Sequence, residues 1–302
     1  MLTAFHPQGS DYWARARQPL NCLAFLAPLL VFYEVGVFWA GGDRSDSIRN
    51  GADFWMRSGL SSLGIEFAFL LPVLVVGILL VWQIAGKYPW RITPDVLAGM
   101  AAESLLFAVI LVLVGQLQDL AFRQTAAVVT SSTSPPLSKG GQGERELQIE
   151  KCKSKNANWS TAATSQPNLQ FAICNGQFAI PTASISEPYA LPRIVGFVGA
   201  GVYEEVLFRL CLLPICYGLL RLLLLPAKAA TILAVIAVSV VFSYAHFIGP
   251  AADPWTLFSF TFRVLAGLFF AVLFVLRGFG VAAGCHAVYD LLVGVLLEMQ
   301  QS

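Results

Sequence analysis

The chain has 302 residues, of which 57% are hydrophobic and 12% charged, with a net charge of +1 and a mean hydropathy of +0.68. These values are typical of a protein that crosses a membrane several times and exclude an ordinary soluble enzyme. The near-zero net charge gives no basis for binding a nucleic acid. The six cysteines form no Cys-x-x-Cys pair and no zinc-ligand spacing.

Apolar runs long enough to cross a bilayer follow one another along the chain. A helix needs about 20 apolar residues to cross about 30 Å of hydrocarbon. Because the runs are continuous rather than alternating, they predict helices and not a membrane β-barrel. We expect an all-α, polytopic membrane helix bundle of seven transmembrane helices, or eight if Pro214 splits the fourth run. The runs cover residues 20–40, 65–84, 96–120, 194 to about 225, 231–247, 258–276 and 279–297.

A polar segment interrupts these runs between residues 123 and 189. It is rich in Ser, Thr, Asn, Gln, Gly and Pro, and it includes a charged stretch over residues 145–155. This composition cannot bury a core, so we expect a disordered insertion between two membrane helices. The predicted organisation is N-terminal membrane helices in residues 1–122, the insertion in 123–189 and a second membrane domain in 190–302.

Two carboxylates and an arginine lie together inside the fourth apolar run. A charged residue at the centre of a membrane helix costs roughly 2.5–3.5 kcal/mol, so Glu204, Glu205 and Arg209 indicate a functional site. Glu205 and Arg209 are four positions apart, and we expect them to pair on one helix face. Glu204 is rotated by about 100° from Glu205 and faces elsewhere.

Two later membrane helices carry further polar groups. Phe242 and His246 share a face near the end of the fifth run. His286 and Asp290 share a face in the seventh, where the carboxylate could accept a hydrogen bond from the imidazole and fix its tautomer. Hydrocarbon drives such groups inward, so we expect them to meet Glu204 in the bundle interior.

The sequences Glu204-Glu205-x-x-x-Arg209, Phe242-x-x-x-His246 and His286-x-x-x-Asp290 occur in this order. The pattern resembles the motifs of the CPBP family of intramembrane proteins, which includes type II CAAX prenyl proteases and bacteriocin-processing or self-immunity proteins. The resemblance covers roughly residues 193–297. It implies an eight-helix type of bundle around a wet site reached from one side of the membrane. It also implies a glutamate intramembrane endopeptidase, in a prokaryotic cell membrane.

The resemblance implies a specific role for each residue that matches a motif. Glu204 resembles the base that activates water, and His246 resembles the residue that assists it. His286 and Asp290 resemble the pair that contacts the developing oxyanion and orients the site. Residues 190–302 are then a CPBP-like catalytic membrane domain.

Glu205 and Arg209 resemble the supporting pair of the first motif, and Phe242 opens the second. One position departs from the prenyl proteases: Asp290 stands where they have Asn. An ionised carboxylate cannot donate a hydrogen bond to an oxyanion. Either Asp290 is protonated in its apolar setting, or it serves only to orient His286.

The chemistry of the residues favours hydrolysis by water, independently of the resemblance. Peptide hydrolysis needs a base, an attacking water and donors where negative charge develops. No serine or cysteine is placed to act as the nucleophile: Cys285 adjoins His286, and neighbouring helix positions face different directions, while Ser243 lies three positions before His246. We therefore predict direct attack by water rather than an acyl-enzyme.

Two other classes of function stay open. Glu204, His246 and His286 could hold a divalent metal, as three-ligand hydrolytic zinc sites do; no other cofactor is expected. The chain could instead be a non-enzymatic immunity or binding protein, or a transporter that uses Glu34 and Glu103, although packing is the expected role of these two carboxylates. The expected partners are the lipid bilayer and a membrane-associated protein or peptide substrate of unspecified sequence, with no nucleic acid.

Overall fold

The computed structural model describes residues 12–41, 49–65, 69–133, 190–249 and 252–296, and the regular secondary structure in these ranges is helical throughout. The all-α prediction is confirmed for this part of the chain. The helices are α1 (Tyr12–Ala16), α2 (Pro19–Gly41), α3 (Gly51–Ser61), α4 (Leu70–Ala85), α5 (Pro94–Thr133), α6 (Ala190–Glu205), α7 (Leu213–Leu222), α8 (Ala227–Ala245), α9 (Leu257–Arg277) and α10 (Phe279–Leu291). Two π-helical segments, Val206–Leu212 and Leu292–Leu296, follow α6 and α10.

Four helices in the described ranges are long and apolar enough to cross a membrane: Pro19–Ala40, Pro94–Thr125, Ala227–Ala245 and Leu257–Arg277. Two shorter apolar helices cover Leu70–Ala85 and Phe279–Gly294. Large apolar side chains are exposed along several of these helices, including Phe38, Leu113 and Val272. Such contiguous apolar surface suits contact with lipid.

The chain divides into two compact units, residues 1–116 with 182–302, and residues 117–181. Helix α5 continues to Thr133, past the predicted boundary at residue 122. An ion pair of 2.8 Å between Asp119 and Arg123, one turn apart, supports the helix at this boundary. Residues 134–189, the remainder of the predicted insertion, lie outside the described residues.

The fourth apolar run stays helical on both sides of Pro214, so the proline does not divide it. Pro214 lies in the first turn of α7, and the turns before it form the π-helical segment Val206–Leu212. There the N–H of Leu213 donates to the carbonyl of Phe208, five residues back. We attribute the wide turn to Pro214, whose ring would clash with the carbonyl four residues earlier in a regular α-helix.

Helix α6 contacts α10 through a glycine. A Cβ atom at Gly201 would lie 2.4 Å from the backbone nitrogen of Ala287. Only glycine allows two helix backbones to approach so closely. The contact brings Glu204 and Glu205, one turn after Gly201, beside His286 of the neighbouring helix.

The intramembrane carboxylates of α2 and α5 join helices to one another. Glu34 accepts a 2.6 Å hydrogen bond from Tyr203 of α6 and lies 3.7 Å from Arg57 of α3. Glu103 accepts a 3.0 Å hydrogen bond from Arg277 at the end of α9. Both carboxylates therefore have partners that account for their burial.

Candidate active site

Glu205, Arg209 and His286 form a buried chain of charge contacts. Arg209 Nη1 lies 2.9 Å from Glu205 Oε1, and both side chains are 0% exposed. The same oxygen accepts a 2.9 Å hydrogen bond from His286 Nδ1–H, because a carboxylate paired with arginine can only accept. Glu205 thus connects the helix of the first motif to the helix of the third.

Aromatic rings enclose the Arg209 guanidinium group. Its Cζ atom lies 4.3 Å from the centre of the Phe242 ring and 5.4 Å from that of Phe270, distances at which a ring face attracts a cation. Phe270 also stacks on the His286 ring, with centroids 4.4 Å apart and planes inclined by 17°. Phe242 of the second motif therefore covers the charge of the first.

Glu204 faces the two intramembrane histidines. Its Oε2 atom lies 3.6 Å from His246 Nε2 and 3.8 Å from His286 Nε2. The Glu204 side chain is 13% exposed and that of His246 is 25% exposed, so this part of the site opens towards the surface. Both separations exceed hydrogen-bond length, and Glu204 Oε2 has no hydrogen-bond partner among the described residues.

His246 is oriented by its own helix. It caps α8, and its Nδ1 lies 2.9 Å from the Phe242 carbonyl oxygen. Since a carbonyl oxygen only accepts, Nδ1 carries the proton. A neutral His246 therefore directs the lone pair of Nε2 towards Glu204.

Asp290 does not form the hydrogen bond to His286 that its spacing predicted. Asp290 Oδ2 lies 3.6 Å from His286 Nε2, too far for a hydrogen bond. Glu205 is the closer carboxylate, since α6 approaches α10 so tightly. The His286 ring is thus oriented from another helix rather than from one turn along its own.

Within the described ranges, no group of three His, Cys, Asp or Glu side chains is arranged to hold a metal ion. The predicted candidates Glu204, His246 and His286 meet as two pairs that share Glu204 Oε2.

Ser243 and Cys285, which lie near the two histidines in the sequence, have packing roles. Ser243 Oγ donates a 2.8 Å hydrogen bond to the Phe260 carbonyl, which ties α8 to α9. Cys285 is 0% exposed and belongs to an apolar cluster with Ala108 and Leu111.

One residue near the site, Arg263, belongs to none of the three motifs and was missed by sequence reasoning. It lies on α9 and forms an ion pair with Asp253, in the loop that follows His246. A signal was present, because Arg263 is the sole charged residue of the sixth apolar run, 258–276. A charge inside a membrane span indicates a functional site by default.

Comparison with known proteins gives a match to the later part of the chain. Residues 186–292 match the family model for type II CAAX prenyl endopeptidase Rce1-like proteins. No curated protein and no solved structure matches the chain. The match contains all three motifs, and together with the apolar helices it supports an integral membrane protein of a peptide hydrolase family. Residues 186–292 are thus similar to the CPBP-family proteases, in agreement with the resemblance of the three motifs.

Proposed function

We propose that the protein is a glutamate intramembrane endopeptidase. The proposal is carried by Glu204 Oε2, which lies 3.6 Å from His246 Nε2 and has no hydrogen-bond partner in the described protein. An ionised carboxylate oxygen and an imidazole lone pair both accept hydrogen bonds, so a water molecule that donates to both satisfies them. A base in contact with a water is what hydrolysis requires.

In the proposed reaction, this water attacks the carbon of the scissile carbonyl group. Glu204 takes a proton from the water as the water oxygen bonds to that carbon, and the carbonyl oxygen becomes negatively charged. The proton then passes to the amide nitrogen, and the carbon–nitrogen bond breaks. The products are a new carboxyl terminus and a free amine, and water is the only co-reactant.

The other motif residues support this step. His286 and Asp290 are assigned to the part of the site where the carbonyl oxygen lies. Glu205 and Arg209 are positioning residues that orient His286 through the 2.9 Å hydrogen bond to its Nδ1. Phe242 completes the arrangement by covering Arg209 and by orienting His246 through its carbonyl group.

The substrate class follows from the setting and the family. A site among membrane helices favours a peptide bond held at the bilayer, in a membrane-associated or lipidated chain. The matched family suggests CAAX-type substrates, with a prenylated cysteine near the carboxyl terminus. The cell membrane of a prokaryote is the proposed location.

We further infer seven crossings of the membrane. Helices α2, α4, α5, α8, α9 and α10 supply six, and the continuous helical stretch from α6 to α7 supplies one. Hydrogen bonds between helices support their alternating directions. Leu20, at the start of α2, donates to Gln83, near the end of α4. Ser243, near the end of α8, donates to Phe260, near the start of α9. At 16 residues α4 is short for a span, a mismatch that local thinning of the bilayer accommodates.

The test of the proposed function removes the base while keeping its shape. Glu204→Gln cannot take a proton from water, and we expect kcat to fall roughly 100–10,000-fold. His246→Ala should also abolish cleavage, whereas the matched control Cys285→Ala, next to His286, should retain it. The assay is cleavage of a fluorescent peptide with a farnesylated cysteine by purified protein in liposomes.

A second readout does not depend on the choice of peptide. Membrane fractions of cells with wild-type protein and with Glu204→Ala are compared by quantitative proteomics. An uncleaved precursor should accumulate in the variant and identify the natural substrate. Full activity of Glu204→Gln would refute the glutamate mechanism, and a phenotype without any accumulated precursor would favour the non-enzymatic binding function.

A further inference from the structure

Hydrolysis by a water that Glu204 activates needs a hydrogen-bond donor where the carbonyl oxygen becomes negative, so the need for a donor rests on the proposed function. Glu204 and Asp290 only accept when they are ionised. His246 donates its Nδ1–H to the carbonyl of Phe242 and, as a neutral ring, presents a lone pair at Nε2. Three of the four catalytic side chains thus present acceptors to the substrate.

His286 is the fourth, and one of its two ring nitrogens is already engaged. Its Nδ1–H donates to Glu205 at 2.9 Å. Its Nε2 faces Asp290 at 3.6 Å and Glu204 at 3.8 Å. A proton on Nε2 makes no hydrogen bond to either carboxylate, but an oxyanion bound there would lie beside two negative charges.

Arg209 has donors, but they cannot reach a substrate. Its side chain is 0% exposed, and the rings of Phe242 and Phe270 lie against its guanidinium group. The site therefore calls for a donor from outside the three motifs.

Arg263 has such a donor. Its Nη2 donates to Asp253, and its Cζ atom lies 5.1 Å from the centre of the Phe247 ring. Its Nη1 is buried and makes no hydrogen bond to any described residue. A buried guanidinium nitrogen without an acceptor is costly, and an incoming oxygen would relieve that cost.

Arg263 also lies near the proposed reaction. Its charge interacts electrostatically with Glu204, His246 and Asp290. Yet Asp253 is the one carboxylate within ion-pair distance of Arg263 in the described ranges. The guanidinium group therefore acts on these residues through its charge and forms no ion pair with Glu204 or Asp290.

We propose that Arg263 is a further catalytic residue, whose Nη1 donates a hydrogen bond to the oxyanion in place of the amide that Asp290 lacks. Asp253 binds the other terminal nitrogen of the guanidinium group, Nη2. The backbone N–H of Asp253 also donates a 3.0 Å hydrogen bond to the His246 carbonyl, which fixes the position of Arg263 relative to His246. The ligand is the carbonyl oxygen of the scissile peptide bond.

Three variants test the proposal with the peptide assay, or with the natural substrate found by proteomics. Arg263→Gln should lower kcat roughly 100–1,000-fold, the usual effect of losing one oxyanion donor, with little change in KM. Asp253→Asn is the control: it loosens the same loop but keeps the donor, so its kcat should exceed that of Arg263→Gln by at least about tenfold. Adding Asp290→Asn to Arg263→Gln supplies an amide donor and should recover at least about tenfold in kcat.

The outcomes separate the possible roles of Arg263. Equal losses in Arg263→Gln and Asp253→Asn, without rescue by Asp290→Asn, would show that Arg263 only anchors the loop and would overturn the proposal. An unchanged kcat in Arg263→Gln would overturn it as well. If Arg263→Gln does not fold, Arg263→Met replaces it, because methionine keeps a flexible side chain and has no donor; a reduced kcat supports the proposal and a wild-type kcat refutes it. Activity that survives Glu204→Gln would instead overturn the proposed function, whatever Arg263 does.

Discussion

Arg209 carries a charge that has no access to water. It is held by Glu205 at 2.9 Å and by the faces of aromatic rings. The contact with Glu205 is close, yet Arg209 Nη1 forms no hydrogen bond to any described residue. The pair is therefore held mainly by charge attraction, and each charge offsets the desolvation cost of burying the other.

This dependence predicts a non-additive pair of substitutions. Arg209→Met leaves Glu205 buried without its cation and should lower the free energy of unfolding by about 3–5 kcal/mol. Combining it with Glu205→Gln removes both charges, so the double variant should be more stable than Arg209→Met alone. Denaturant titration of the protein in detergent micelles measures both values. Additive losses would show that the two charges do not interact.

The response to chelators is a second prediction about individual residues. Glu204, His246 and His286 meet in pairs, and no set of three metal-ligating residues occurs in the described ranges. We expect incubation with a strong chelator, followed by dialysis, to leave the cleavage rate unchanged. Loss of activity that returns on adding zinc would favour the metal-dependent form of the reaction.

At the scale of the helices, the distance between α6 and α10 determines the site. Sequence spacing sufficed to predict which side chains point inward, because hydrocarbon excludes charge whatever the details of packing. It could not predict that Glu205 binds His286, because that bond depends on the close approach at Gly201. Arg263 was missed for a related reason: its relation to Glu204 exists only after α9 has packed beside α8.

Gly201 gives a prediction at this scale. A methyl group at position 201 would meet the backbone of Ala287 at 2.4 Å, and a helix backbone cannot yield as a flexible side chain would. Gly201→Ala should separate the helices, lower stability by about 1–3 kcal/mol and reduce kcat by up to about 100-fold.

Gly196→Ala, on the same helix, is the matched control. A Cβ atom there has no atom within 4 Å. It should be neutral or stabilise the protein by about 0.4–1 kcal/mol. Equal behaviour of the two alanine variants in thermal unfolding and peptide cleavage would argue against the helix contact as the determinant of the site.

At the scale of the whole molecule, the sequence predicted helices more reliably than their limits. Continuous apolar runs were enough to predict an all-α membrane protein. The apolar run predicts that the second span starts at residue 65, whereas α4 begins at Leu70. Hydropathy marks where a chain is apolar, but the ends of a helix depend on capping and on the connections, which an apolar run does not encode.

The inferred seven crossings predict the sidedness of the connections. Single cysteines would replace Ser62, Lys87, Lys228 and Pro254 in a cysteine-free chain, and an impermeant thiol reagent would be applied to intact cells. Positions 87 and 228 should share one side of the membrane, and positions 62 and 254 the other, because an odd number of crossings separates the two pairs. If the stretch from α6 to α7 crossed twice, positions 87 and 228 would label differently.

The π-helical segment Val206–Leu212 has a consequence for comparing this chain with its relatives. A π-helical turn holds one more residue than an α-helical turn, so the segment is equivalent to a single insertion in a regular helix. Alignments that cross it should place a one-residue gap between Arg209 and Pro214 when the relative has a regular helix there. Without that gap, every residue after the segment would be compared with a position turned by about 100° around the helix axis.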